Sequence, residues 1–150
     1  QNGFETIGCA KVATSAKEAQ AIGYLKKDDR IVVNREHILS EAKNEVLDMA
    51  DHYKVPEVES FKLPGKSGRL VLEGTLKGFL KAGKISEHDA LIGRKLGHVL
   101  TGGEKGGPFS AVDEQYLLDI EREAFMSLAG EEKTQQRIAH FLKTGKPLRN

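Results

Sequence analysis

Tryptophan is absent from this chain of 150 residues, and Cys9 is its only cysteine. A single thiol excludes an internal disulfide and a thiolate cage for a metal ion, so a reducing compartment, the cytoplasm, is the expected location. Long apolar runs are also missing, since none approaches the roughly 20 residues that a membrane-spanning helix needs. No signal peptide is recognised at the start of the sequence, and no membrane span is expected.

The chain also lacks an excess of positive or negative charge. The 23 lysine and arginine residues nearly balance the 22 aspartate and glutamate residues, which leaves a formal net charge of +1. Nucleic acid and anionic membranes are therefore not expected as main partners, because binding to either usually needs a marked excess of positive charge. The length suits one domain that is large enough to bury a core.

Phosphate-binding loops are not recognised in the sequence. Residues 64–68, PGKSG, contain the Gly-Lys-Ser of such a loop, but Ser60 stands where the loop needs a glycine, and no strand is predicted before it. The glycine-rich residues 102–107, GGEKGG, lack the G-x-G-x-x-G spacing of a dinucleotide site. Both segments are therefore interpreted as turns or loops.

Patterns that bind metals or catalyse reactions are missing too. No pair of histidines has a ligand spacing such as H-E-x-x-H, so no metal site is predicted. Each histidine is expected on a helix surface or at a local cap: His37, His52, His88, His98 and His140. The glutamates of the last third are expected to be solvated partners of lysine and arginine, and no catalytic residue is predicted.

The sequence does contain a series of amphipathic helices. Apolar residues recur at steps of three and four, most regularly over residues 38–53 and again over residues 112–128. The patterns predict about six helices and at most one or two short strands, with the β-branched residues 30–33 as the strand candidate. The fold is therefore expected to be mainly α.

Capping signals mark several helix ends. Ser86 with Asp89 predicts one helix start, and Ser110 with Asp113 predicts the start of the long helix that Gly130 ends.

Two glycines interrupt the predicted helix over residues 70–82. Gly74 and Gly78 lie four residues apart, and each weakens a helix by roughly 1 kcal/mol relative to alanine. They indicate either the close approach of another helix or simple tolerance, and the sequence leaves both open.

The end of the chain resembles a known family. A Glu-rich helix with an inward Phe, a short break and then TQQRIAHFLKTGKP are similar to the C-terminal end of crotonase-family proteins, the enoyl-CoA hydratases and isomerases. The segment ISEHDALIGRKLGHVLTGG and the ending HFLKTGKPLRN resemble the C-terminal part of bacterial two-function fatty-acid oxidation enzymes. In those enzymes a 3-hydroxyacyl-CoA dehydrogenase precedes a hydratase-like half. The resemblance covers residues 4–53 and, more closely, residues 86–150.

The resemblance implies a helical C-terminal fragment of such an enzyme. The sequence starts at Gln1 without Met, which agrees with this expectation. Residues 1–55 would end the crotonase-like segment, residues 56–69 would form a linker, and residues 70–150 would form the C-terminal helical region. The upstream dehydrogenase and crotonase core of the same polypeptide would be its partners, and a homo-oligomer is expected.

The family's catalytic parts have no match in this sequence. Its glutamates, and the backbone N–H groups that polarise the thioester carbonyl, belong to a β-rich core upstream of the matching residues. The chain is therefore expected to be inactive by itself in fatty-acid β-oxidation. It is expected to hold no cofactor, whereas NAD and acyl-CoA are expected in the full-length enzyme.

The family's closing helices contribute packing, subunit contacts and contacts to the tail of CoA. Phe141 matches the aromatic residue of that tail site, and Lys146 matches the lysine before the final turn. The basic position between them is Thr144 here, with Lys143 one place away. The alternative for Phe141 is an ordinary core residue.

A second interpretation is a free-standing helical module whose apolar faces bind a protein partner. The two interpretations differ in the surface they predict. A fragment should leave apolar surface uncovered where a missing core belongs, whereas a free-standing module should form a self-contained bundle.

Overall fold

The mainly α fold is confirmed by a computed structural model, which describes residues 2–150. Seven α-helices and one two-stranded sheet are found within these residues. The helices are α1 (Asn2–Gly8), α2 (Ala16–Ile22), α3 (Ile38–Ala50), α4 (Gly65–Lys81), α5 (Glu87–Leu100), α6 (Glu114–Ala129) and α7 (Glu132–Thr144), and a 3-10 helix, Arg35–His37, precedes α3. None of these helices is long and apolar enough to span a membrane.

One strand lies in the segment predicted as a linker, and the other lies where the sequence predicted the start of the last-but-one helix. Strand β1 (Ser60–Lys62) pairs antiparallel with β2 (Ala111–Asp113), so that Phe61 faces Val112 in the register. The predicted strand over residues 30–33 is wrong, because that segment has no regular secondary structure and no described strand pairs with it. A strand forms only where a partner satisfies its backbone, and a sequence pattern does not identify the partner.

The helix ends follow the capping signals with one exception. Ser86 and Asp89 form the predicted reciprocal capping box at the start of α5. At α6 the N-cap is Asp113, which accepts a hydrogen bond from the Tyr116 N–H, so the prediction of Ser110 as the cap is wrong. Residue 110 instead lies in the turn before β2, and Gly130 ends α6 as predicted.

The described chain divides into two compact units. The first contains α1 together with residues 58–150, and the second contains residues 9–57. No residue of the second unit is buried, although α3 has an apolar stripe. The segment predicted as a linker, residues 56–69, contains β1 and the first turn of α4.

The core of the first unit forms where α1, α4 and α5 meet. Phe4, Leu72 and Leu76 are its buried side chains, and the partly buried Ile85, Leu96 and Leu100 pack around them. Burial of such side chains is the main favourable contribution to folding.

Two glycines of α5 face α4, and one of them allows its close approach. A Cβ atom at Gly93 would lie 2.6 Å from Leu76 Cδ2, and one at Gly97 would lie 3.5 Å from Leu72 Cδ1. The absence of a side chain at Gly93 therefore lets Leu76 pack directly against the α5 backbone, whereas a Cβ at Gly97 would make an ordinary contact. By contrast, no atom lies within 4 Å of a Cβ placed at Gly74 or Gly78, which favours simple tolerance at that pair.

We expect Gly93→Ala to lower the free energy of unfolding by about 1–3 kcal/mol, because the buried Leu76 has little room to move. Gly74→Ala makes the same change at an open, exposed helix position, and it should raise stability by about 0.5–1 kcal/mol. Hydrogen exchange of the α4 and α5 amides measures both effects. Equal changes for the two variants would contradict close packing at Gly93.

Candidate functional site

The last helix is fixed to α5 by one arginine. Arg137 Nη1 donates a 2.7 Å hydrogen bond to Asp89 Oδ1, and Arg137 Nε donates a 2.8 Å bond to the side-chain oxygen of Asn150. Burial alone would raise the pKa of Asp89. Hydrogen bonds from Ser86 and Arg137 outweigh it and hold that pKa below the ordinary value. The α5 capping box therefore also positions α7.

A buried histidine forms the second contact between α5 and α7. His88 is only 4% exposed, and its Nε2 lies 2.9 Å from Thr134 Oγ1. The prediction of a surface or capping role for His88 is therefore wrong. Burial lowers the pKa of His88, and the positive charges of Arg137 and Lys133 lower it further. The folded protein thus favours the neutral ring.

The three residues matched to a CoA tail site lie at the end of α7. Phe141 is 55% exposed, and Lys143 and Lys146 are exposed as well. Phe141 and Lys143 are two residues apart in a helix, so they point about 200° apart around its axis. Lys146 follows the left-handed turn at Gly145, which ends the helix. Phe141 is therefore not a buried residue of the described core.

Thr144 occupies the position where the resemblance expects a basic residue. Its hydroxyl donates to the His140 carbonyl at 2.9 Å and accepts from the Lys146 N–H at 3.1 Å. Thr144 thus holds the turn after α7, and it contributes no positive charge.

The Gly-Lys-Ser segment begins α4, and a short strand does precede it, contrary to the sequence prediction. Gly65 has φ +60°, and its backbone N–H donates a 2.9 Å bond to the Thr101 carbonyl. The backbone of Gly106 occupies the space where a Cβ at Gly65 would lie. Close packing against residues 102–107 therefore accounts for the glycine at position 65. The Gly-Lys-Ser segment has a structural role here.

Metal-binding clusters were not predicted, and within residues 2–150 no group of three or more His, Cys, Asp or Glu could hold a metal ion.

A charged cluster that the sequence did not reveal joins the start of α4 to the end of α5. Arg69 Nη1 donates to Glu104 Oε1 at 2.7 Å and lies 2.8 Å from His98 Nδ1. The hydrogen bond from Arg69 lowers the pKa of Glu104, with Lys66 adding a smaller effect. Residues 69, 98 and 104 are separated in sequence, and only the antiparallel packing of α4 and α5 brings them together.

Much apolar surface is uncovered in each unit. In the first unit, Phe125, Met126, Phe141 and Leu142 on the last two helices are exposed. In the second unit the exposed residues lie mainly along α3 and just beyond it: Leu39, Val46, Leu47, Met49 and Tyr53. Large exposed apolar patches usually mark an interface.

Comparison with known proteins gives one informative relationship. No family model matches the chain, and no solved structure matches it. A probable 3-hydroxyacyl-CoA dehydrogenase from Bacillus subtilis (strain 168) is 47% identical to the chain over 149 residues, which are 98% of the chain. The chain spans 19% of the length of that relative. It is therefore related to a segment of a 3-hydroxyacyl-CoA dehydrogenase, as part of the sequence resemblance indicated.

We expect the first unit to lose stability as the pH falls below about 6.5, the ordinary pKa of histidine. The unfolded chain binds a proton at His88 before the folded chain does, so acid favours unfolding until the pH passes the lowered folded pKa. Urea denaturation at pH 7 and at about pH 5 measures this loss.

His88→Asn should reduce the pH dependence, whereas His52→Asn, a change at an exposed histidine, should preserve it. An unchanged pH dependence in His88→Asn would exclude His88 as its source.

Proposed function

We propose that this chain is the C-terminal helical region of a 3-hydroxyacyl-CoA dehydrogenase that also has an enoyl-CoA hydratase-like, crotonase-family half. Such an enzyme would act in fatty-acid β-oxidation in the cytoplasm. The observation that carries the proposal is the 47% identity to a segment of a probable 3-hydroxyacyl-CoA dehydrogenase. The hydratase-like half rests on the resemblance of TQQRIAHFLKTGKP to the crotonase ending.

The second unit supports a role inside a larger enzyme. Residues 9–57 contain α2 and α3 but no buried residue. A helix of 13 residues such as α3 gains little stability alone, and it normally depends on packing of its apolar face. That face includes Val46, Met49, Ala50 and Tyr53, which line a shallow apolar depression. We propose that the upstream crotonase core of the same polypeptide covers it.

The contribution of this region would be packing, assembly and contacts to CoA, without a catalytic residue of its own. NAD and the acyl-CoA substrate would bind mainly to the rest of the enzyme. The exposed apolar residues of α6 and α7, such as Phe125 and Leu142, would lie against the core or a second subunit of a homo-oligomer.

The end of α7 would contact the tail of CoA. Phe141 offers an exposed aromatic face to an adenine ring, and Lys143 and Lys146 offer positive charge to a phosphate. Phe141 and Lys143 point in different directions around the helix, so the two would contact different parts of the CoA tail.

The alternative is a free-standing helical interaction module. The observation in its favour is that the first unit has its own core around Phe4, Leu72 and Leu76. The second unit argues against it, because a self-contained bundle would bury the apolar stripe of α3.

We expect the isolated chain to show neither hydration of crotonyl-CoA nor NAD-dependent oxidation of a 3-hydroxyacyl-CoA. The longer polypeptide that carries this sequence should catalyse the oxidation, because its dehydrogenase half would supply the NAD site. Absorbance assays of both proteins measure these activities. Turnover by the isolated chain would refute the proposal that it is an incomplete part of an enzyme.

Phe141→Ala should weaken binding of CoA to the assembled enzyme by about three- to tenfold, because one exposed aromatic contact is lost. Calorimetric titration with CoA measures the affinity, and thermal melting of the same samples measures stability. Phe125→Ala, which removes another exposed phenylalanine, from α6, should leave CoA affinity unchanged. A lower melting temperature with unchanged affinity in Phe141→Ala would instead assign Phe141 to packing.

A further inference from the structure

One buried imidazole lies between the first turns of two helices. His88 is the second residue of α5, and Thr134 is the third residue of α7. The His88 Nε2 atom lies 2.9 Å from Thr134 Oγ1, and His88 is only 4% exposed. The ring is therefore enclosed where the amino ends of α5 and α7 meet.

Both helix ends disfavour a charged imidazole at this position. The amino end of an α-helix carries a partial positive charge, because its first N–H groups have no partner within the helix. A neutral ring suits such a place. An imidazolium at His88 would instead lie against two positive helix ends, in a position that water hardly reaches.

The charged side chains around His88 act in the same direction. Arg137 and Lys133 of α7 bring positive charge to the ring, whereas Glu131 and Asp89 bring negative charge. The Asp89 carboxylate is already bound to Arg137 Nη1 at 2.7 Å. Burial is the largest cause of the lowered pKa of His88, and the two cations lower that pKa more than the two carboxylates raise it.

Helix α7 buries little surface of its own. None of its residues is buried, and its apolar side chains Ile138, Phe141 and Leu142 are all exposed. The buried side chains Phe4, Leu72 and Leu76 belong to α1 and α4, and their core lies against α5. An element with so few buried contacts can separate locally at a lower free-energy cost than the core can unfold.

We propose that protonation of His88 releases α7 from α5 while α1, α4 and α5 stay packed together. Separation of the two helix ends would relieve the repulsion and would let water solvate the charged ring. The release is a property of the fold of this chain, and it does not depend on the proposed enzyme activity.

The ion pair between Arg137 and Asp89 would not cause this acid response. Burial alone would raise the pKa of Asp89, but hydrogen bonds from Ser86 and Arg137 hold that pKa below its ordinary value. Asp89 therefore stays charged at about pH 5, where a histidine with the ordinary pKa is largely protonated. The pair would hold α7 in place as long as His88 is neutral.

Hydrogen exchange of the whole polypeptide that carries this sequence, at about pH 7.5 and about pH 5, tests the proposal. Labelling times are scaled for the pH dependence of intrinsic exchange. Protection of the α7 amides should fall several-fold in acid, with about thirtyfold as the limit, because only the released form binds the proton at the ordinary histidine pKa. Protection of α4 should not change. Unchanged protection of α7, or an equal loss in α4 and α7, would overturn the proposal.

His88→Asn keeps a polar side chain beside Thr134 but binds no proton, so α7 should be equally protected at both pH values. His140→Asn is the matched control. It removes a histidine of α7 itself that lies about 9 Å along the helix from Thr134, and the full acid effect should remain. Equal acid effects in the two variants would exclude His88 as the source.

Lys133→Gln gives a second test that does not alter the buried ring. Lys133 is exposed, so its replacement should leave the packing of α7 intact. The change removes one positive charge that acts on His88, so a proton on the ring would meet less repulsion. The acid loss of α7 protection should therefore become smaller, and an undiminished loss would contradict the proposal.

Discussion

The close contact between α4 and α5 is the interaction on which the first unit depends. Leu76 packs directly against the α5 backbone because Gly93 has no side chain, and Leu72 packs beside Gly97. Dispersion and burial both decline steeply when such surfaces separate, so a single added methyl group matters at this contact. The buried Thr101 extends the contact beyond the helices, since its hydroxyl donates to Gly97 and its carbonyl accepts the Gly65 N–H.

The contact between α4 and α5 also forms a charged cluster and one side of a cavity. It brings Arg69 of α4 to His98 of α5, and it leaves the cavity open toward α6. At the other end of α5, the capping-box carboxylate of Asp89 binds Arg137 and so fixes α7, the helix that carries Phe141. The cavity and the proposed CoA contact therefore lie on different helix surfaces, although both depend on the position of α5.

The second unit, in contrast, has well-defined helix ends but no buried core. Residues 9–57 form helices with good local signals, such as Ser15 at the start of α2 and the left-handed Gly23 at its end. Local signals stabilise helix ends by only about 1 kcal/mol each, and no buried core supports them in this unit. A larger enzyme around this chain would provide the missing contacts. This physical argument agrees with the identity to a segment of a dehydrogenase, although the two observations are independent.

The sequence by itself predicted the features that depend on local interactions: the mainly α fold, the Ser86 capping box and the Gly130 helix end. The sequence did not predict the pairing of β1 with β2, the burial of His88 or the cluster around Arg69. Each of these joins residues far apart in the chain, so only the tertiary packing of α4, α5 and α6, and of α7 on α5, determined them.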